Sequence, residues 1–291
     1  MKRLFCFGAG GSAQALCARL PRRRWAVAGT ARTADKVANL REARIEPWSF
    51  DGTAAVDEAA LAGTTHLLVS VPPGEDGDRV LPLHLDALRR LPALEWVGYL
   101  STTGVYGNRD GAWVDETSAV APTLPRTVRR VEAERAWLDS GLPVQVFRLA
   151  GIYGPGRSAV DDVLAGTARR IDRPGHVFSR IHVDDIAGTL SASIARPLPG
   201  AIYNVCDDEP AEPRAVIEYA AHLLRRPLPP LLPFDRAEFS PMARSFWADH
   251  RRVRNERIKE ELGVMLMFPS YREGLAAIVE ALEIARANQR G

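Results

Sequence analysis

The chain has 291 residues, 46% of them hydrophobic and 25% charged. That mixture excludes disordered, collagenous and coiled-coil classes and leaves one large domain, or a main domain with a smaller one attached. The formal net charge of +2, with no basic block, argues against nucleic acid as the main partner.

The first apolar run, Leu4–Phe7, reads as a strand, and Gly8, Gly10 and Gly11 interrupt it too soon for a signal peptide. No apolar run approaches the ~20 residues of a membrane span, so a cytoplasmic protein with no membrane partner is expected. A helix follows over about Ser12–Leu20, then a strand at Trp25–Gly29, a helix over about Thr33–Arg41 and a short strand near Glu46–Phe50. His66–Val71 is a buried strand stopped by Pro72 and Pro73, Arg79–Leu91 is helical, and Trp96–Ser101 is a strand. Glu132–Ser140 lies in a helix and Val144–Leu149 is the next strand. Strands alternating with helices predict βαβ units and a doubly wound parallel sheet. The second half is less regular, with proline-rich Arg226–Pro233 and helices near Arg214–Arg225, Asn255–Leu262 and Arg272–Asn288. The expected division is 1–150, with 180–205 contributing, against a smaller C-terminal domain of 151–179 and 206–291.

Cys6, Cys17 and Cys206 are odd in number and widely spaced, which supports neither a disulfide framework nor a zinc site, and no metal is expected. The glycine-rich turn is more informative. Gly8-Ala9-Gly10-Gly11-Ser12-Ala13 follows a strand and opens a helix, the setting in which a GxGxxA turn holds a dinucleotide pyrophosphate. NAD sites place an acid at the end of the second strand; here the text is Thr30-Ala31-Arg32-Thr33. Arg32 suits a ribose 2′-phosphate, with Thr30 and Thr33 as donors, so NADP is favoured and NAD stays open. Asp51 reads equally as an adenine contact and as an Asp-Gly turn.

Four further segments carry a resemblance: Ser101–Gly107 (STTGVYG), Arg148–Gly156 (RLAGIYGPG), Arg180–Ala187 (RIHVDDIA) and Tyr203-Asn204-Val205. With the glycine turn they resemble the extended short-chain dehydrogenase/reductases, the NAD(P)-dependent epimerase/dehydratase-like proteins, over about residues 1–205. The run Arg251–Lys259 resembles an atypical subgroup. The resemblance implies a Rossmann domain holding NAD(P) and a C-terminal domain over a small-molecule substrate, a nucleotide sugar among the options, in a monomer or homodimer. It also implies that Thr102 is the catalytic hydroxyl and that His182, Asp184 and Asp185 are architectural. Ser70, Val71, Arg130 and Tyr153 are further cofactor candidates.

The family's Tyr-x-x-x-Lys couple is missing. The chain has only Lys2, Lys36 and Lys259, and none has a tyrosine four residues before it. Aligned on Glu134, the expected tyrosine falls on Arg126 and the expected lysine on Arg130. A guanidinium stays protonated and cannot replace a phenol. Tyr106 is a candidate substitute acid, although packing suits it as well. The expected activity is an oxidoreductase or epimerase type on a hydroxyl or carbonyl substrate, the alternative a non-catalytic NADP(H)-binding redox sensor or regulatory module.

Overall fold

The computed structural model describes residues 1–288. Positions 289–291, which end the expected C-terminal domain, lie outside the described residues.

The first half builds βαβ units. Strand β1 (Lys2–Phe7) runs into helix α1 (Gly11–Arg19), β2 (Trp25–Ala31) into α2 (Ala34–Glu42), and β3 (Glu46–Ser49) into the short α3 (Glu58–Leu61). Then come β4 (His66–Val69), α4 (Leu81–Arg89), β5 (Trp96–Thr102), β6 (Trp113–Val114), α5 (Pro125–Leu138) and β7 (Val144–Leu149). Helix α5 starts a full turn and more before the predicted Glu132. Pro125 occupies its first position and the Leu124 N–H donates to the Thr127 hydroxyl, a start built from local contacts rather than from apolar periodicity.

The second half contributes β8 (Gly151–Tyr153), α6 (Ala159–Ala165), β9 (Arg170–Asp172), β10 (Arg180–His182), α7 (Val183–Ala195) and β11 (Ile202–Val205). It continues with α8 (Pro213–Leu223), β12 (Leu231–Pro233), α9 (Pro241–Ala248), β13 (Arg252–Val253), α10 (Glu256–Glu260) and α11 (Tyr271–Asn288). The sequence reading lacks α3, α6, α7, α9, the strand β11 and the parallel pairs β8/β10, β9/β12 and β6/β13. Strands of two or three residues are too short to show a period and exist only where their partners meet them.

Seven strands form one sheet in the order β11-β7-β5-β4-β1-β2-β3, every pair parallel. This is the Rossmann-type doubly wound arrangement, with its crevice where strand order reverses, between β1 and β4. Both faces are covered, so the strands read as continuous apolar runs. In β1, Leu4 and Cys6 join one core with Ala13, Leu16 and Cys17 of α1 and Ile186 and Leu190 of α7. Phe5 and Phe7 point the other way, to Leu81 and Leu88 of α4 and Trp137 of α5. A separate cluster joins α6, α8 and α11 through Val160, Val216, Ala220, Leu275 and Ile278. The three cysteines are buried and free. Among the described residues no helix is long and apolar enough to cross a membrane.

A buried polar chain locks α5 to the sheet. Glu134 faces Arg148 of β7, accepting from its Nη2 at 2.8 Å and its Nε at 3.2 Å. Ser101 of β5 donates to the same carboxylate. Arg148 Nη1 continues to the Tyr106 hydroxyl at 2.9 Å, and Tyr106 donates to Asn204 of β11 at 2.8 Å. Asp185 of α7 accepts the N–H groups of Met267 and Phe268, and His182 Nδ1 accepts from Asp184 N–H, so this motif is architectural as expected.

Asp207 is different. It is 1% exposed and neither carboxylate oxygen has a hydrogen-bond partner of ordinary geometry. Burial pushes its pKa up to about 8, against the pull of Arg180.

Two outcomes follow from these buried charges. Glu134→Gln strands the Arg148 guanidinium and is expected to cost about 3–5 kcal/mol, read as a lower midpoint in urea denaturation; a loss under about 1 kcal/mol would refute that role for the pair. Asp207 titrates higher in the folded chain than in the unfolded one, near 4, so the folded state holds the extra proton between about pH 4 and 8. Stability should therefore fall as pH rises through that window, by at most about 1.4 kcal/mol per pH unit, and Asp207→Asn should flatten the fall. Parallel profiles for the two proteins would show that Asp207 is not the titrating group.

Candidate functional site

Three neighbouring hollows share lining residues, the first two at the carboxyl ends of the sheet strands. The first, of about 440 Å³, lies over the glycine turn and is lined by Gly8, Gly10, Thr30, Arg32, Asp51, Ser70 and Val71 among others. Gly8 has φ +81°, which favours glycine, and a Cβ there would press on Val71. A Cβ on Gly10 or Gly11 would meet nothing within 4 Å, so the backbone there leaves open space. Gly10 caps α1 without a side-chain hydrogen bond, leaving the amides of Gly11, Ser12 and Ala13 as donors toward that space. Ala13 is fully buried and lets α1 pack on the sheet. The residues present fit a dinucleotide pyrophosphate.

Thr30 braces the turn: its hydroxyl accepts from Gly8 N–H and its carbonyl from Ala9 N–H, both at 2.9 Å. Thr33 caps α2 by accepting from Lys36 N–H and does not line the hollow. Arg32 does line it, and so do Lys36 and Arg79, which the sequence reading missed. Lys36 stands one helical turn beyond Arg32, a spacing visible in the sequence; Arg79 reaches the site only through the fold. Asp51 lines the hollow, and it holds an Asp-Gly turn by accepting from the Thr53 N–H and hydroxyl, which keep its carboxyl below the usual range.

Pro72 lines both this hollow and a central cleft of about 590 Å³. Its walls carry Thr102 and Thr103 at the end of β5, Arg126 and Arg130 of α5, Tyr153, Arg180, Asp249 and Arg251. Thr102 is half-buried, and its Oγ1 accepts from Gly104 N–H at 3.1 Å. Arg130 donates to the Leu100 carbonyl and the Tyr99 hydroxyl. Tyr153 packs against Gly274 and donates to the Ser270 carbonyl, and burial pushes its pKa upward. Arg251 pairs with Asp249 at 3.2 Å and donates to the Gly107 carbonyl.

Tyr106 requires a correction. Its ring is 0% exposed, its hydroxyl is taken up by Arg148 and Asn204, and it does not line the cleft. Burial raises its pKa further. It is a packing residue of the buried polar chain, and the reading of it as a substitute acid falls.

An outer hollow of about 670 Å³ shares Tyr153 and Arg180 with the cleft and is lined by Arg157, Arg169, Asp161, Phe239 and Trp247 among others. Arg244 lies over the Phe239 ring and Arg252 donates to the Gly111 carbonyl. The rest of the 251–259 run clamps β11: Arg257 donates to the Ile202 carbonyl and Asn255 to the Cys206 carbonyl. Among the described residues, no group of three or more His, Cys, Asp or Glu could hold a metal ion.

No family model matches the chain. Protein YeeZ of Escherichia coli K12 is 29% identical over 234 residues, 75% of this chain and 82% of that protein. The solved structure of NAD-bound dTDP-glucose 4,6-dehydratase from Bacillus anthracis superposes with a TM-score of 0.78 at 16% identity, over 98% of this chain and 97% of that one. A functionally unknown conserved protein from Silicibacter pomeroyi superposes with a TM-score of 0.90 at 50% identity, over 97% of this chain and 100% of that one. Such identity over nearly the full length of both places this chain in the family of the Silicibacter pomeroyi protein, on a Rossmann-type fold that the dehydratase also has.

Proposed function

We propose that the protein binds a nicotinamide dinucleotide, NADP(H) in preference to NAD(H), and acts as an oxidoreductase or epimerase-type enzyme on a hydroxyl or carbonyl substrate. The observation that carries this reading is that the hollow over Gly10 and the cleft that holds Thr102 are neighbours, with Pro72 lining both. The dehydratase with the same fold binds NAD, which supports the cofactor class. Arg32, Lys36 and Arg79 around one exposed carboxylate, Asp51, support a ribose phosphate at that end. The residues beyond the central cleft, chiefly α6, α8, α9 and α11, would form the substrate-covering part.

The bound cofactor would supply hydride exchange at a carbon bearing oxygen. The chain's own task is to orient that oxygen, and Thr102 is the hydroxyl placed for it. Among the described residues the cleft wall offers no His, Lys or Cys. Its phenol, Tyr153, is pushed upward by burial, and its carboxylate, Asp249, is paired with Arg251. Proton exchange with the substrate oxygen is therefore left to water. The same scarcity of titrating groups favours the second reading, a cofactor-binding sensor without turnover.

Titration with both cofactors should give tighter binding of NADP(H), and Arg32→Ala should weaken the phosphorylated form selectively. Equal affinities, unchanged by the substitution, would remove the NADP assignment. With a substrate in hand from a screen of nucleotide sugars, aldehydes and ketones, Thr102→Val should lower kcat by ~10²–10³ at unchanged cofactor affinity. Undiminished turnover would displace Thr102 from the site, and a screen without any turnover would favour the sensor.

A further inference from the structure

We propose that the central cleft seats an anionic group of the substrate, a carboxylate or a phosphate, with Arg126 and Arg251 as a guanidinium clamp. The proposal rests on the reading above that this cleft receives the substrate.

Its wall presents four guanidiniums, Arg126, Arg130, Arg180 and Arg251, against one carboxylate, Asp249. That carboxylate is already shared between Arg251 and the Thr123 hydroxyl. The dinucleotide does not account for the surplus charge, because the glycine turn with Arg32, Lys36 and Arg79 belongs to the neighbouring hollow. Two of the four arginines are committed to the frame: Arg130 to Leu100 and Tyr99, Arg180 to the carbonyls of Phe178 and Ala211. Each of the four donates to the protein through Nη1, and in each Nη2 has no hydrogen-bond acceptor among the described residues. Arg126 is the least committed, with one hydrogen bond, to a side-chain hydroxyl, and Arg251 has the Asp249 carboxylate and the Gly107 carbonyl as its partners.

Arg126 is exposed, yet it is held in place. Its Nη1 donates to Ser245 and its guanidinium lies 4.6 Å from the Phe246 ring centre, both residues of α9. A free surface arginine loses much rotamer entropy on binding; one fixed from two sides loses less. Arg126 also occupies the position where the resembled family has its proton-exchanging tyrosine. A permanent cation there cannot exchange protons, but it can hold an anion by charge-assisted, forked hydrogen bonds.

Calorimetric titration of the NADP⁺-saturated protein with malonate and, separately, with inorganic phosphate tests the clamp. One or both should bind at one site per chain, and the anion that binds tells carboxylate from phosphate recognition. Arg126→Gln and Arg251→Gln should each weaken binding about ten- to a hundred-fold. NADP⁺ affinity should stay unchanged, and Arg126→Lys should restore part of the loss. Arg126 is exposed, so its variants are expected to fold even where Arg251→Gln does not. Absence of binding into the tens of millimolar, or an affinity unchanged in a folded variant, overturns the clamp. If NADP⁺ itself fails to bind, the cofactor reading falls. The same anion titrations of the unloaded chain and its variants then decide the clamp separately.

Discussion

The ion pair between Glu134 and Arg148 is the constraint on which the site depends. It is buried between α5 and β7, with Ser101 of β5 on the same carboxylate. A buried charge that loses its partner is costly, so the pair tolerates little displacement of α5. Arg126 and Arg130 stand two and one helical turns before Glu134 on that helix, and Thr102 is the neighbour of Ser101. One buried carboxylate thus holds both walls of the central cleft in register. The extension through Arg148 to Tyr106 and Asn204 carries the constraint to β11 and fixes the turn after Thr102.

A second feature is the division of cationic groups. Lysines are almost absent, and arginine does the work of framing, pairing and facing the cleft. Arg148, Arg130 and Arg180 are tied to backbone or buried partners and behave as struts. Arg32, Arg126 and Arg251 reach the hollows where a ligand would sit. A planar fork with five donors can be partly committed to the frame and still present an edge outward, which an ammonium does less well. A site built this way would suit the anionic group proposed above better than proton exchange. Among the described residues the cleft wall holds no His, Lys or Cys.

The parallel sheet and the glycine turn were legible in the sequence because they depend on local signals. Leu4–Phe7 and His66–Val69 are unbroken apolar runs, the mark of strands covered on both faces. Gly8 and Gly10 are spaced by the backbone geometry of one turn. Thr102, Arg32 and Asp51 could be found because each lies at the end of such a strand or just after it. Lys36 was within reach as well, one turn past Arg32.

Other features needed the folded chain. Tyr106 sits in a recognisable loop, but whether its hydroxyl meets solvent or Arg148 is decided by β7 and β11, strands 42 and 98 positions further along the chain. Arg79, Arg180 and Arg251 come from three separate segments, and no spacing rule links them. The strands β6, β8, β9, β10, β12 and β13 have two or three residues each, too few to carry a period. The sequence by itself determined the sheet, the glycine turn and the absence of a tyrosine–lysine couple, because those rest on neighbours along the chain. Tertiary structure decided which hydroxyls and guanidiniums face the cleft, because burial and pairing are set by segments that meet only after folding.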